Sequence, residues 1–545
     1  MFYFKCAFTK VLPVLASSIL LTCLGQAQSF QILPSDPYLN PQYITQMSGN
    51  GNTFTGYGYS TAHEYYIYSQ SQGYYFYLPS SLPPFNLSED GSTFLVFNDS
   101  NYTTQIYKNY AYSHTLSLQV STGPLSANGG ICFPFSFAGS LKSYQVILGA
   151  TSVADVYTLI PAPAGVDSYV VKTCSADGSI AYGYFQDVSG NQNHAFTWSA
   201  ATGTRVIGSF FPFSSSDDGS LCVGQNADGT GTPVVWNNSS AQLGQVFPGY
   251  TRVFGVAVTP DGKYFYGQYQ NSDESMHGLV QTVSSGAIAD LGQTGMPIGS
   301  DSRFYAAGAF YQPGVGTYQL SDLLNSYNLG SSGLSGYAVQ KLTNDGTGML
   351  GTANTSTGSS IWYATLPLEG AASVSPASRV VHGTNFELTV NGSGFSSGTT
   401  VYWNGAALPT TTIKPCHIEA EVSRADLADA GNALVTVKFA DGSVSAPLNF
   451  NVFNLNPTPT TNSTNPTMVH HGGAGFSITV NGTGFLATST VKWGGLGLVT
   501  QYISPVELTA NVPAAYYTIG KTVPVTVVNP VPGGGTSNAT NVIVQ

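Results

Sequence analysis

Carboxylates recurring at one kind of position are the first candidates for chemistry in this chain. Along its first two thirds, an Asp-Gly or Asn-Gly pair recurs at a regular spacing, with the Asp or Asn at seven places: Asn50, Asp90, Asn128, Asp177, Asp218, Asp261 and Asp345. Two convergent carboxylates about 5 to 10 Å apart would suit glycoside hydrolysis. Asp-Gly is also a turn signal, because both residues tolerate positive φ and Asp bonds its own backbone. We therefore expect these aspartates to be turn residues at equal radius, not a catalytic pair.

The other acidic residues in the middle of the chain do not indicate a catalytic site either. Asp217-Asp218 and Asp273-Glu274 are its adjacent acidic pairs, and we interpret both as solvated loop. The chain has no His-Glu-x-x-His and no phosphate-binding Gly loop. We predict no catalytic residue and no cofactor. A polysaccharide-cleaving hydrolase or lyase is the alternative from a different class.

Four histidines, His63, His114, His194 and His277, each precede an apolar segment that we interpret as the third strand of a repeat unit. A ring of imidazoles on the face opposite the Asp-Gly turns would attract a metal ion. Their offsets from the repeat glycine vary from 12 to 23 residues, and no second His or Cys lies nearby at ligand spacing. We expect a capping or packing role and no metal site.

Tyrosines crowd one unit more densely than its core would need. They are Tyr57, Tyr59, Tyr65, Tyr66, Tyr68, Tyr74, Tyr75 and Tyr77. Rigid rings with hydroxyl tips suit stacking on sugars or a protein interface. Packing against the neighbouring unit is the alternative, and the sequence does not decide between the two. These eight are the candidate binding residues.

The N-terminus resembles an export signal. Lys5 and Lys10 precede an apolar run from Val11 to Leu24, and Gly25-Gln26-Ala27 ends it with a cleavage pattern. We predict a signal peptide over 1–27 and a secreted, extracellular or cell-surface protein. A lipoprotein anchored at Cys23 is a weaker alternative, since Leu21-Thr22 fits that signal poorly. After signal cleavage, no membrane insertion is expected.

Charge and cysteine content narrow the possible classes of protein further. Charged residues are 8% of the 545 residues, against roughly 25% in typical domains. Residues 28–370 hold 20 Asp and Glu against 8 Lys and Arg, so no basic surface for nucleic acid is expected. Cys132, Cys174, Cys222 and Cys416 remain after the signal. We expect small buried side chains, with a Cys132–Cys174 bridge left open.

The elements that must position these residues follow from the spacing of the turns. Successive copies lie 38 to 49 residues apart, with a degenerate copy near Asp301 in the one long gap. Residues 172–210 show the unit best, as four short strands around one Asp-Gly turn. Four-stranded units of about 40 to 45 residues are typical of β-propeller blades. We predict an all-β fold with a seven- or eight-bladed β-propeller over 28–368.

The ends of this region predict how the ring closes. The last unit, 336–366, holds three strands, and Phe30 to Leu33 supplies a fourth. An open ring would leave two unpaired sheet edges. We therefore expect the N-terminal strand to pair with the last blade.

His-Ala-Phe at 194–196 after the Ala-Asp-Gly turn resembles the HAF repeat of secreted bacterial proteins. Leu320-Ser321-Asp322-Leu323-Leu324, followed by the segment 342–351, is similar to the last repeats of that family. The resemblance is specific near 172–351. The copies near 47 and 125 depart from it, with Asn for Asp and no aromatic triplet. It implies a bacterial source and a propeller.

The last third has a second period, of ninety residues. Thr389-Val390-Asn391-Gly392-Ser393-Gly394-Phe395 returns as Thr479-Val480-Asn481-Gly482-Thr483-Gly484-Phe485, and Val-x-Trp at 401–403 returns at 491–493. This pattern resembles the IPT/TIG family of immunoglobulin-like β-sandwiches. We predict two tandem Ig-like domains, 373–453 and 454–545, with Trp403 and Trp493 in their inter-sheet cores.

These observations together predict a binding or adhesion protein without catalysis. The propeller is the recognition platform and the Ig-like domains are spacers. The expected partner is an extracellular glycan or protein. A purely structural extracellular role is the second alternative.

Overall fold

The structure is a computed structural model that describes residues 29–33, 40–59, 63–78, 84–98, 101, 103–116, 120–136, 140–149, 154–187, 192–250, 252–292, 294–329, 334–356 and 358–545. The predicted signal peptide lies outside these residues. Within them, all regular elements except one α-helix and two short 3₁₀ helices are β-strands. The all-β prediction is confirmed.

The first two thirds form eight sheets, which we call blades I to VIII. Strand β1 (Ser29–Ile32) belongs to blade VIII. Blade I is β2 (Asn40–Met47), β3 (Thr53–Tyr59), β4 (His63–Ser69) and β5 (Tyr74–Tyr77). Blade II is β6 (Pro84–Leu87), β7 (Thr93–Asn98), β8 (Thr103–Lys108) and β9 (Ala111–Thr115). Blade III is β10 (Val120–Ser121), β11 (Ile131–Cys132), β12 (Phe135–Ser136), β13 (Lys142–Ile147) and β14 (Val156–Leu159).

The following blades have the same antiparallel order. Blade IV is β15 (Tyr169–Cys174), β16 (Ile180–Gln186), β17 (Asn193–Ser199) and β18 (Gly203–Gly208). Blade V is β19 (Phe210–Ser215), β20 (Leu221–Asn226), β21 (Pro233–Asn237) and β22 (Gln242–Gln245). Blade VI is β23 (Val253–Val258), β24 (Tyr264–Gln270), β25 (Met276–Thr282) and β26 (Ile288–Asp290). Blade VII is β27 (Ile298–Gly299), β28 (Phe304–Ala306), β29 (Ala309–Gln312) and β30 (Gly316–Gln319).

Blade VIII contains β31 (Ser335–Leu342), β32 (Gly348–Thr355), β33 (Gly358–Thr365) and β1. In blade III, β11 and β12 both pair with β13, so together they take the place of one interrupted second strand. The described part of the chain thus has eight propeller-like blades, and the larger of the two predicted numbers applies.

Strand β1 closes the ring as its sequence predicted. It runs antiparallel to β33, from Ser29 opposite Thr365 to Ile32 opposite Trp362. The pairing continues at Leu33, whose N–H donates to the carbonyl oxygen of Ile361 at 3.0 Å. The first and last segments of the region are therefore joined by main-chain hydrogen bonds.

Apolar side chains fill the spaces between successive blades. Phe54, Tyr66 and Tyr68 of blade I pack with Leu350 and Ile361 of blade VIII. The same arrangement recurs between the other blades, where Tyr182 and Phe210, for example, join blades IV and V. A single blade cannot bury both its faces, so the ring depends on neighbouring blades for its core.

A turn with the same hydrogen bonds recurs from blade to blade and explains where the blades form. In blade IV, Ser175 Oγ donates to Asp177 Oδ1 at 2.6 Å and accepts from the N–H of Ile180 at 3.0 Å. The same Asp177 oxygen accepts from the N–H of Ser179 at 2.9 Å. A buried Ser or Thr begins this turn in all eight blades: Ser48, Ser88, Ser126, Ser175, Ser216, Thr259, Ser300 and Thr343. In seven of them Asp or Asn follows two residues later, whereas blade VII has Ser302 at that place.

The glycine of this turn is needed for both conformation and space. Gly219 has a φ of +64°, and a Cβ there would lie 2.9 Å from Cδ1 of Ile180 in the preceding blade. Gly203 has a similar φ of +67° but has no atom within 4 Å of its Cβ position. Gly219 thus lets two neighbouring blades approach closely.

Substitution of Gly219 by Ala should therefore cost more than the same substitution at Gly203. We expect each to lose about 1 kcal/mol because L-residues disfavour positive φ, and Gly219→Ala to lose a further 1 kcal/mol or more by overpacking. Urea unfolding of G219A and G203A measures the difference. Equal losses would show that blade contact does not constrain the turn.

Helix α1 (Leu320–Ser326) connects blades VII and VIII. Its Leu320, Leu323 and Leu324 are buried in a core that also contains Trp362 and Cys416. The Leu-Ser-Asp-Leu-Leu segment had been interpreted only as a repeat motif. Its helical apolar spacing is what places these leucines on one buried face.

Two β-sandwiches follow. The first contains β34 (Gly370–Ser375), β35 (Ser378–Val380), β36 (Phe386–Ser393), β37 (Thr400–Trp403), β38 (Ala406–Ala407), β39 (Thr410–Lys414), β40 (His417–Val422), a 3₁₀ helix (Arg424–Leu427), β41 (Gly431–Lys438) and β42 (Leu448–Phe453). Its sheets have the orders β34-β36-β40-β39 and β35-β42-β41-β37-β38.

The second sandwich repeats this topology. It contains β43 (Thr460–Asn465), β44 (Met468–Val469), β45 (Phe476–Thr483), β46 (Thr490–Trp493), β47 (Leu496–Gly497), β48 (Val499–Ser504), β49 (Glu507–Val512), a 3₁₀ helix (Ala514–Tyr516), β50 (Lys521–Asn529), β51 (Gly535–Thr536) and β52 (Thr540–Val544). Trp403 and Trp493 are each buried in the core of their sandwich, as predicted.

Candidate functional site at the ring axis

The turns between the first two strands of each blade join one another in a closed circle. Eight hydrogen bonds of 2.7 to 3.2 Å link neighbouring turns, seven of them through the backbone alone. They run from Asn50 N to Glu89 O, Asp90 N to Ala127 O, Ala127 N to Ala176 O, Ala176 N to Asp217 O, Asp217 N to Pro260 O, Asp261 N to Asp301 Oδ1, Asp301 N to Asn344 O and Asn344 N to Gly49 O. These turns follow the innermost strands, so the circle surrounds the ring axis.

We define the axial mouth by the residue that directly follows the buried Ser or Thr of each turn. These residues are Gly49, Glu89, Ala127, Ala176, Asp217, Pro260, Asp301 and Asn344. Three of them carry carboxylates and one carries an amide. The amide of Asn344 lies over Gly49, whose Cβ position is 2.6 Å from Nδ2.

The three carboxylates are close enough to influence one another. Burial, then the charge of Asp217, raises the pKa of Glu89 to about 7, and Asp301 also contributes; a hydrogen bond from Asn344 opposes the shift. Burial raises the pKa of Asp301 to about 6, with the charge of Asp217 among the smaller causes. Burial, followed by the charges of Asp218 and Asp261, raises the pKa of Asp217. Half-buried like charges account for all three directions.

The expectation about the aspartates was right for the turn position and wrong for its neighbour. Asp177 caps its own turn, and the hydrogen bond from Ser175 lowers its pKa, helped by the N–H of Ser179. Asp217, however, had been assigned to solvated loop, whereas it is half-buried and its charge acts on both Glu89 and Asp301. Asp301 lies in the turn of blade VII, where the degenerate copy was expected. The signal was an acidic residue directly after the Ser or Thr of the turn.

Chemically, this mouth offers hydrogen-bond acceptors and negative charge. Ionised carboxylates accept from sugar hydroxyls or from Lys and Arg side chains, and a protonated carboxyl donates. Among the described residues, no group of three or more His, Cys, Asp or Glu has a geometry suited to a metal ion.

The tyrosines of blade I divide into two groups. Tyr66 and Tyr68 are buried between blades VIII and I, so their rings do not reach solvent. These two tyrosines are therefore packing residues, and their assignment as binding residues was wrong. Tyr57 stacks on the half-exposed Tyr43 with 4.6 Å between ring centroids, and Tyr65 lies 6.1 Å from Tyr57. This ladder crosses the first three strands. The side chains of Tyr59, Tyr74, Tyr75 and Tyr77 lie outside the described residues.

The histidines take packing and ion-pair roles instead of forming a ring. His114 Nε2 lies 3.0 Å from Asp155 Oδ1 of the next blade, and His277 Nδ1 lies 3.1 Å from Asp290 Oδ1. His194 stacks on Phe185 with a centroid distance of 5.4 Å. The placement of His114 before a third strand was wrong, because it lies in the fourth strand, β9. The side chain of His63 is outside the described residues.

The four cysteines are free thiols, so the Cys132–Cys174 bridge is not formed. Burial raises the pKa of the Cys174 thiol to about 12 and also raises that of Cys132 and Cys222. Thiols held in the neutral form are poor nucleophiles. The expectation of inert buried cysteines is supported.

Comparison with known proteins identifies one part of the chain. The model of the IPT/TIG domain matches residues 372–452. The first sandwich is an IPT/TIG domain. It is attached to the ring through helix α1, where Ser326 Oγ donates to the carbonyl oxygen of Gly392 at 2.8 Å and Tyr327 Oη lies 2.7 Å from Ser393 Oγ. The IPT/TIG domain is therefore held against the ring by specific contacts.

The chain also has a distant similarity to solved structures, with low sequence identity and low TM-scores. Oligogalacturonate lyase in complex with manganese is 11% identical, with a TM-score of 0.38, covering 63% of this chain and 94% of that one. TolB from Acinetobacter baumannii is 11% identical, with a TM-score of 0.29, covering 59% and 78%. No curated protein matches the chain. Among the described residues, no helix is long and apolar enough to span a bilayer.

Proposed function

We propose that this protein is a secreted or cell-surface recognition protein whose ring binds an extracellular glycan or protein at the axial mouth. The observation that carries the proposal is that three carboxylates, of Glu89, Asp217 and Asp301, lie on one closed circle of turns and influence one another's charge. Hydroxyl groups or basic side chains of a partner would replace the water that these carboxylates lose on binding. The two sandwiches act as spacers.

Two finer assignments belong to the same proposal. The ring repeats are HAF repeats of a bacterial protein, supported by His-Ala-Phe at 194–196 and the motif at 320–324. Residues 454–545 are a second IPT/TIG domain, supported by the ninety-residue repeat and the matching strand order of the two sandwiches. The tyrosine ladder of blade I, Tyr43, Tyr57 and Tyr65, is a secondary contact surface.

A glycan array and a pull-down of extracellular proteins, each with wild type and with E89Q/D217N/D301N, test the axial site. We expect selective binding by wild type and at least a tenfold loss in the triple variant. The matched control is D273N/E274Q, which removes the same kind of charge from an exposed loop and should bind normally. Absence of any selective binding would favour the purely structural role. Unchanged binding in the triple variant would exclude the mouth.

Cleavage of a polysaccharide is the second candidate. The raised pKa of Glu89, about 7, favours it, because a carboxyl group protonated near neutral pH beside other carboxylates suits general acid catalysis. Product release from bacterial or plant polysaccharides measures this directly. A catalytic role requires E89Q to abolish release, and a rate that falls as pH rises through about 7. No release from any polysaccharide leaves the binding role.

A further inference from the structure

The two sandwiches have the same topology but differ at one edge. Their four-stranded sheets have the orders β34-β36-β40-β39 and β43-β45-β49-β48, so β39 and β48 are edge strands in equivalent places. In the part of the chain that the structure describes, no strand pairs with the outer side of either. The outer side of an edge strand carries main-chain N–H and C=O groups that can pair with another strand.

The two edges can be compared residue by residue. The N–H of Leu408 donates to the carbonyl oxygen of Val401 at 2.8 Å, and the N–H of Leu498 donates to that of Val491 at 2.9 Å. The chain therefore enters β39 and β48 in the same way, at a constant offset of ninety residues.

The edge of the first sandwich has features that prevent pairing with another chain. Pro409, directly before β39, has no N–H to donate, and Lys414 ends the strand with a charge. Proline and lysine are residues with which natural proteins protect their edge strands. Beyond the strand, Cys416 is buried in a core that it shares with α1. This edge is therefore protected at both ends.

The edge of the second sandwich lacks these features. Val499 stands in the place of the proline, Ser504 in the place of the lysine, and Val506 in the place of the cysteine. Val499 is 81% exposed and Val506 is 53% exposed. The other large apolar side chains exposed along this edge are Leu496, Tyr502 and Ile503. Strand β48 thus combines an unprotected main-chain edge with a row of exposed apolar side chains.

The charge of this surface indicates which partner fits it. No Asp, Glu, Lys or Arg occurs from Trp493 to Val506, whereas the whole chain has a net charge of −11. Net charge of one sign keeps copies of a protein apart. In a two-fold contact the same patch of both copies meets, so a charged residue near the axis would face a like charge. An uncharged edge avoids this repulsion, and it offers no attraction to a charged partner.

The main chain of the edge is also compatible with a second copy. Antiparallel pairing of two identical strands about a two-fold axis places the donors of each strand opposite the acceptors of the other. Strand β48 is six residues long, which is a typical length for a paired strand. Interfaces below about 1,200 Å² are transient, and a contact made by one short strand belongs to that class. A reversible dimer is therefore expected.

We propose that β48 pairs antiparallel with β48 of a second copy of this chain, across a two-fold axis. The two four-stranded sheets then form one continuous eight-stranded sheet. This surface is independent of the axial mouth. It gives the second sandwich a role beyond that of a spacer, because a dimer presents two rings together to a repetitive partner.

Sedimentation velocity of the full mature chain at about 1 to 100 µM tests this proposal, because a transient dimer dissociates within that range. We expect the sedimentation coefficient to rise with concentration from the monomer value towards the dimer value. Gln501→Lys should weaken dimerisation about tenfold or more, since the two exposed side chains at the centre of β48 would become like charges near the axis. High salt should restore part of this loss. V499P/S504K, which gives this edge the residues of the first sandwich, should also prevent dimerisation.

Ile519→Lys is the matched control. Ile519 is 65% exposed and precedes β50, which pairs with β52 in the other sheet of the same sandwich. I519K adds the same charge away from β48 and should dimerise like wild type. The axial variant E89Q/D217N/D301N should also dimerise normally, so its loss of ligand binding would leave this proposal intact.

Three outcomes would overturn the proposal. The first is a wild-type chain that stays monomeric over the whole concentration range. The second is a dimer that neither Q501K nor V499P/S504K weakens. The third is a monomer that binds an added extended peptide through β48, since the partner of this edge would then be a foreign strand.

Discussion

A protein that begins at Pro34 should melt about 10 °C below one that begins at Gln28. The missing strand β1 pairs with β33, stacks Phe30 on Trp362 at a 5.7 Å centroid distance and buries Leu33. Burial of Leu33 stabilises the ring by about 1.5 to 3 kcal/mol and the partly buried Phe30 by somewhat less, before the lost main-chain pairing is considered. At roughly 2 °C per kcal/mol for a region of this size, a total loss of about 5 kcal/mol gives the Tm shift.

Point variants identify the cause of such a shift. Leu33, 3% exposed, and Ile32, 45% exposed, are neighbours in the same segment. Leu33→Ala should lower the Tm of the ring by several degrees, and Ile32→Ala by less than 1 °C, because only the first removes buried area. Calorimetry of both, alongside the truncation, is the measurement. A truncated protein with the wild-type Tm would mean that the ring does not need this closure.

Stability of the ring should decline as pH rises from about 5 to 7. Folding raises the pKa of Glu89 from 4.5 to about 7 and that of Asp301 from 3.8 to about 6. Both groups are therefore protonated more readily in the folded ring, and their stabilising contribution is complete below pH 4 and lost through pH 6 to 7. After discounting for solvent screening, we expect about 2 kcal/mol in total, or a Tm decrease of about 5 °C.

Low pH should also destabilise the ring, because it protonates carboxylates whose pKa is lowered in the folded state. Hydrogen bonding lowers the pKa of Asp177, so its contribution is present above pH 4 and is lost as pH falls further. Stability therefore has a maximum near pH 5. Glu89→Gln should flatten the decline above pH 5, whereas Glu274→Gln, at an exposed loop position, should keep the wild-type profile. A decline that E89Q does not change would show that the axial carboxylates are not its source.

Turn chemistry made the ring predictable, because Asp-Gly pairs are local signals that need no knowledge of distant residues. The closing strand was predictable for the same reason: the last blade lacked a strand and Phe30 to Leu33 was the apolar segment left over. Blade III escaped a simple four-strand description, since its second strand is interrupted between Cys132 and Phe135. The correspondence between the two sandwiches could be predicted from the ninety-residue sequence repeat.

The axial site was not predictable, because convergence depends on which turn residue faces the axis. Asp218 and Asp217 are neighbours in sequence, yet the first bonds its own turn and the second faces the mouth. Likewise, Tyr65 and Tyr66 point to opposite faces of one strand, and only Tyr66 is fully buried. The docking of α1 on the first sandwich was not predictable either, because it joins residues about ninety positions apart.

Pairing of β1 with β33 also sets an order of events during synthesis. The first strand to leave the ribosome finds its partner only after about 330 further residues have been made. At a synthesis rate of roughly 5 to 20 residues per second, the nascent chain has an unpaired sheet edge at each end for about 15 s to about a minute. Strand β1 is thus the earliest strand of the ring to be made and the last to find its partner.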